Sequence, residues 1–173
     1  IVDAFNAGTL IVNYTGHGNP RLWAHEAVFT REGDIPQLTN RDKLAFVVAA
    51  TCNYAQYDDP LDQSSGELLI AMDQGGAIGV VTSSRAVYSD QNSTFNNTWY
   101  NYLLQRDSQG RPVRLGDAMW QTKQSLNEIN DLKYHLFADP TMRLNMPRAN
   151  VSIDSVNGSS TTQLVAMKSL GKV

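Results

Sequence analysis

Two residues in this chain are of a type and placement that together do chemistry. One is the single thiol, Cys52; the other is His17, held between glycines in Gly16-His17-Gly18. A free thiol with a pKa of about 8.5 is mostly protonated at neutral pH, and an adjacent imidazolium lowers that value and yields a thiolate nucleophile. Thiolate attack on a carbonyl, followed by proton donation from the imidazole to a leaving amine, is acyl-transfer chemistry. The tetrahedral oxyanion needs donors. The backbone amides of Gly18 and Cys52 are the candidates, since both sit where the chain turns away from an apolar run. Quieter uses stand beside this one: a lone Cys closing an apolar run is often a small buried hydrophobe, and Gly-His-Gly is also a tight turn.

Other residues fall near the pair. Trp23, in the loop after His17, is placed to wall a pocket, and Asn53 and Tyr54 directly follow the thiol. Ser83, Ser84, Arg85 and Tyr88 leave a third apolar run on the same side and are candidate substrate contacts. His25-Glu26 is either an orienting or binding pair or a solvated loop, and His135 is expected to pack within a strand. Asp58, Asp59 and Asp62 suit a structural calcium ion, a basic substrate side chain or a solvent-facing acidic loop. The histidines and acidic residues show no metal-ligand spacing, so the chemistry is expected to need no metal or cofactor.

Positioning falls to the apolar runs. Gly8–Tyr14, Lys43–Thr51 and Gly76–Thr82 are short, partly β-branched and bounded by turn formers, as expected of strands covered on both faces. Ser64-Ser-Gly-Glu67 has capping-box spacing, and Leu68, Leu69 and Met72 follow at helical intervals before Gly75-Gly76. Phe95, Trp99, Tyr102 and Leu103 predict a second helix whose apolar face includes Trp99. Leu115, Met119, Leu126 and Ile129 predict a third, interrupted helix, with Trp120 in the core. Tyr134–Ala138 is a further strand candidate. Strands alternating with helices imply an α/β fold with a mainly parallel sheet, in which ligands collect at the C-terminal strand ends. His17 and Cys52 follow the first and second runs, so both belong to that edge.

After Pro147 the texture changes: Val151–Asp154, Asn157-Gly158 and Leu164–Met167 look like β-structure in polar surroundings. A boundary is expected near 147–150, with residues 1–147 as one domain and 148–173 as a linker and the start of an all-β neighbour. The chain opens on Ile1 rather than Met and is expected to be a piece of a longer protein. Its 14 basic and 17 acidic residues show no basic cluster, which argues against a nucleic-acid footprint. One cysteine permits no disulfide within the chain, and the longest apolar run, Leu44–Ala50, falls far short of the ~20 residues that span a bilayer.

Asn13-Tyr-Thr-Gly-His-Gly18, Leu22-Trp23, Gln37-Leu-Thr-Asn40 and the run into Thr51-Cys52 resemble the gingipain-type cysteine peptidases of the caspase-like group. The 35-residue separation of His17 and Cys52 suits that group, and the likeness continues through Gly75–Gly79 and Phe137–Pro140. Cys52–Pro60, Ser65-Gly-Glu67, Thr82–Tyr88 and Ala138–Leu144 are most similar to the PorU-type sortases of the type IX secretion system.

The resemblance implies a caspase-like sheet with helices on both faces and a His17–Cys52 dyad. It also implies an N-terminal part of the fold preceding Ile1 and a following immunoglobulin-like β-domain. By the same resemblance the function is removal of the C-terminal signal domain from secreted cargo through a thioester, with transfer to a lipopolysaccharide amine as a further outcome. Its partners would be that cargo and other outer-membrane components of the secretion system, at the surface of a Gram-negative, Bacteroidetes-type bacterium. A general secreted gingipain-like endopeptidase and a catalytically silent binding or assembly module are the competing functions.

Overall fold

In the computed structural model the chain opens with helix α1 (Val2–Ala7) and strand β1 (Ile11–Thr15). Three two-residue strands follow, β2 (Gly18–Asn19), β3 (Leu22–Trp23) and β4 (Phe29–Thr30). Then come β5 (Ala45–Ala50), α2 (Ser65–Ala71), β6 (Ala77–Ser83), α3 (Ser89–Leu103), α4 (Leu115–Ser125) and β7 (Tyr134–Phe137). The structure describes residues 1–147, together with 155–156 and 159–160.

The main sheet has the order β1-β5-β6-β7. β1, β5 and β6 are parallel, and β7 runs antiparallel at the edge. β5 is buried at every residue, which explains its uninterrupted apolar sequence. Its side chains alternate between two cores. Ala45, Val47 and Ala49 face a core that includes Phe5 of α1 and Leu69 of α2. Phe46 and Val48 face a second core built on Phe95 and Trp99 of α3 and Leu115 and Ala118 of α4. Helices therefore cover both faces of the sheet.

In β6 the alternation breaks at a register shift opposite Ala45 and Phe46. Ala77 and Val80 consequently share one core, and Ile78 turns out to solvent at 41% exposure. α2 begins with the expected capping box: the Ser64 N–H donates to the Glu67 carboxylate at 2.9 Å. The predicted interruption of the third helix is also present. α4 ends at Ser125, and a 3-10 turn, Ile129–Leu132, follows.

Several expectations require correction. β1 is an edge strand with partly buried and exposed residues rather than one covered on both faces. Trp99 is fully buried, whereas Trp120 is 64% exposed, because it sits one residue past Met119 and off the buried face of α4. The antiparallel sheet β2-β3-β4 was not anticipated, nor was α1. Two-residue strands are too short to carry a period, and the six-residue helix α1 spans under two turns.

β8 (Ser155–Val156) and β9 (Ser159–Ser160) pair antiparallel. Residues 148–150 of the expected boundary and the remainder of 148–173 lie outside the described residues. Among the described residues no helix is long and apolar enough to cross a membrane.

Candidate active site

Parallel pairing sets the level of the site. The last rung of β1 against β5 pairs Thr15 with Ala50, so His17 and Cys52 each lie two residues beyond the same rung. Both line one cleft of about 110 Å³, with Thr15, Val87 and Asn92 among its other walls.

The backbone of His17 is held from two sides. Its carbonyl accepts hydrogen bonds from the Tyr14 hydroxyl at 2.6 Å and from the Ala24 N–H at 2.8 Å. Tyr14 in turn stacks flat on Trp23, with ring centroids 4.6 Å apart. The flanking glycines act through close approach rather than through unusual φ. A Cβ on Gly16 would lie 2.7 Å from the Tyr14 hydroxyl, and one on Gly18 would lie 2.5 Å from Thr51 Oγ1. The Ala24-to-His17 bond makes Gly18 and Trp23 a non-hydrogen-bonded pair, which leaves the Gly18 N–H on the side away from β3.

Ala24 and Ala27 adopt left-handed φ of 57° and 53°, a strained choice for alanine. The turn they make brings His25 beside His17, with ring centroids 5.5 Å apart. His25 therefore lies at the edge of the site, on an exposed loop, so that the two alternatives left open for it meet in one place.

Cys52 is partly exposed. Its sulfur meets the backbone of Val87: the Val87 N–H donates to Sγ at 3.4 Å, and the thiol reaches the Val87 carbonyl at 3.7 Å. Cys52 and His17 thus face one cleft while the thiol rests on the 85–88 loop, an arrangement compatible with a substrate group entering between them. Asn53 then turns the chain at φ 52°, which asparagine tolerates. Its N–H is received by the Arg85 carbonyl and by Ser83 Oγ, both at 3.2 Å.

Four of the expected substrate contacts are corrected by burial. Trp23 is 1% exposed and Tyr54 is fully buried, and the two rings pack together 5.4 Å apart in the core. Burial pushes the Tyr54 phenol well above its ordinary range. Ser83 is fully buried, with Oγ donating to the Thr51 carbonyl at 2.6 Å. Ser84 is 5% exposed and bonds Lys133. These four build the walls behind the site. Arg85 and Tyr88 do reach the surface, Tyr88 at 59% exposure. Arg85 pairs with Asp58, which holds that carboxyl below the usual carboxylate range.

The acidic loop does not converge on a point. Asp58 goes to Arg85, and Asp62 to Arg21 and Arg31 at 3.1 and 2.6 Å. Asp59 accepts the Leu61 N–H. Among the described residues no group of three or more His, Cys, Asp or Glu could hold a metal ion. His135 packs in β7 against Tyr57 and Phe137, as its strand position suggested.

Val87, Asn92 and Asn130 were missed. Asn92 precedes Phe95, Trp99 and Leu103 on the buried face of α3, and a lone amide on such a stripe is the signal that would have flagged it.

A mostly parallel α/β sheet with helices on both faces is the caspase-like fold, and solved structures share it. The crystal structure of the Arg-specific cysteine proteinase gingipain R matches with a TM-score of 0.70 at 20% identity, covering 86% of this chain and 36% of that one. The complex of Porphyromonas gingivalis RgpB pro- and mature domains matches with a TM-score of 0.71 at 18% identity, covering 86% and 37%. In sequence, residues 1–145 match the model of Peptidase family C25, and the chain belongs to that family. Gingipain R2 of P. gingivalis is 31% identical over 107 residues, 62% of this chain and 13% of that protein. Lys-gingipain of the same organism is 31% identical over 83 residues, 48% of this chain and 5% of that protein. The chain thus spans a small part of the length of these relatives.

Proposed function

We infer that this chain carries the Cys–His dyad of a cysteine peptidase, with Cys52 as nucleophile and His17 as acid–base partner. The observation that carries this reading is the shared rung: in-register parallel strands deliver both side chains to one cleft. The Cys52 thiolate adds to the scissile carbonyl, and the oxyanion is received by the backbone N–H groups of Gly18 and Cys52. The orientation of the Gly18 N–H away from β3 supports that assignment. The imidazolium of His17 then protonates the leaving amine, and a thioester remains on Cys52. Water or a second amine next gives its proton to His17 and displaces the sulfur. The chemistry asks for no cofactor, and the exposed Arg85 and Tyr88, with Asn53, are the candidate contacts to the peptide.

The substrate proposed is type IX secretion cargo bearing a C-terminal signal domain, cut at that domain's junction at the outer membrane of a Bacteroidetes-type bacterium. A lipopolysaccharide amine serves as an alternative acceptor to water. The run from Cys52 to Pro60 and the Thr82–Tyr88 segment support this choice. A second reading, a general secreted endopeptidase, is favoured by the 31% identity to Gingipain R2. New termini, mapped by mass spectrometry after incubating full-length protein with intact cargo and with unrelated proteins, separate them. One junction near cargo C-termini is expected; many sites sharing one residue would replace it with the second reading. No new termini anywhere would point to a silent binding module.

A further inference from the structure

A buried polar ring closes on the nucleophile from behind. It begins at the Ala50 carbonyl, two residues before Cys52, which accepts from Asn92 Nδ2 at 3.4 Å. Asn92 Oδ1 accepts from Asn130 Nδ2 at 3.1 Å and from the Tyr134 hydroxyl at 2.9 Å. Asn130 then grips the backbone of Tyr88 at two points, donating to its carbonyl at 2.8 Å and accepting its N–H at 3.0 Å. The next amide back along the chain, that of Val87, points at Cys52 Sγ. Both amide side chains are buried, Asn92 at 5% exposure and Asn130 at 0%, and each has donors and acceptor engaged.

We propose that the Asn92–Asn130 pair is the positioning device for Cys52. It fixes the 85–88 loop so that the Val87 N–H holds the sulfur on the cleft side. The inference rests on the reading of Cys52 as nucleophile.

A satisfied amide pair also serves packing, since a buried amide without partners costs free energy. What exceeds that need here is the path, which starts two residues before Cys52, at the Ala50 carbonyl, and ends beside the Val87 amide that touches Sγ. Lys133 braces the same loop, with Nζ on the Ala86 carbonyl at 2.7 Å and its own carbonyl on the Ser84 N–H at 2.9 Å. The N–H and the carbonyl of Val87, at 3.4 and 3.7 Å from the same sulfur, restrict its side-chain rotamer. Neither Asn92 nor Asn130 needs to touch the substrate for this.

The test is the rate of Cys52 alkylation by iodoacetamide in full-length protein. It is followed on the Cys52 peptide by mass spectrometry between about pH 5 and about pH 9. Asn130→Ala is expected to alter the profile by freeing the sulfur and to slow alkylation near neutral pH about tenfold. Tyr102→Phe, which removes a hydroxyl bonded to Ser125 outside the ring, is expected to change it by less than about twofold. Folded Asn130→Ala protein with an unchanged pH profile would overturn the proposal. Hydrogen exchange at the Tyr88 amide of unmodified protein keeps the question answerable if the variant does not fold. Slow exchange is expected, and exchange as fast as an open loop would overturn the proposal. A shifted profile in a protein that cuts no peptide would keep this inference and remove the peptidase reading. An unchanged profile in an active peptidase would do the reverse.

Discussion

At the scale of single residues, the site depends on how closely two backbones approach. Gly18 lies where a Cβ would meet Thr51 Oγ1 at 2.5 Å and the Leu22 carbonyl at 3.0 Å. Because the Leu22 part of that obstruction is backbone, Gly18→Ala must push β2 away from β3 as well as from Thr51, and carry His17 with it. A misplacement of about 1 Å costs on the order of a hundredfold in rate. The expected result is therefore a drop of that order in kcat/KM with a small change in Tm. Unchanged kcat/KM would mean that His17 needs no such tight placement. The residues themselves were legible, since one thiol and one glycine-flanked imidazole stand out in any reading. The supporting residues were not. Val87 acts through its backbone, and His25 reaches His17 only through left-handed alanines that no side-chain type signals.

At the scale of elements, the buried strand β5 was the clearest signal, because a run of six apolar residues bounded by turn formers is too short for a buried helix and suits a strand covered on both faces. Trp120 shows the opposite case: it lies one position off the face that Leu115, Ala118 and Met119 bury, and composition alone does not fix that phase. Trp99→Ala should cost about 3–5 kcal/mol and Trp120→Ala no more than about 0.5 kcal/mol, read from denaturant midpoints. Equal costs would contradict the assigned helix phases.

β7 carries a pH effect. Burial, aided by Lys123 and Arg85 and opposed by Asp58, holds the His135 imidazole below its ordinary range. The unfolded chain then takes up the proton first, near pH 6.5. The contribution of the neutral ring is whole above that pH and lost as pH falls through the folded value. His135→Gln should therefore flatten the fall in Tm between about pH 7 and about pH 5. An equal fall in both proteins would remove His135 from the acid response.

At the scale of the whole molecule, one sheet edge gathers the residues of the proposed chemistry. β1 delivers His17, β5 delivers Cys52, and the segment leaving β6 delivers Val87. This follows from parallel strands sharing a direction, which is why the placement was readable before the pairing was known. The antiparallel sheet β2-β3-β4 was not readable, yet it holds the His17 backbone through Ala24.

The central claim is a working thiol–imidazole pair, and covalent labelling of full-length protein with a peptidyl acyloxymethyl ketone tests it most directly. Wild type, Cys52→Ala and His17→Ala are compared with a panel of peptide sequences. Labelling of wild type that disappears in Cys52→Ala and falls to background in His17→Ala is the predicted result. Folded wild type that no probe labels, or His17→Ala that labels as fast as wild type, would contradict it.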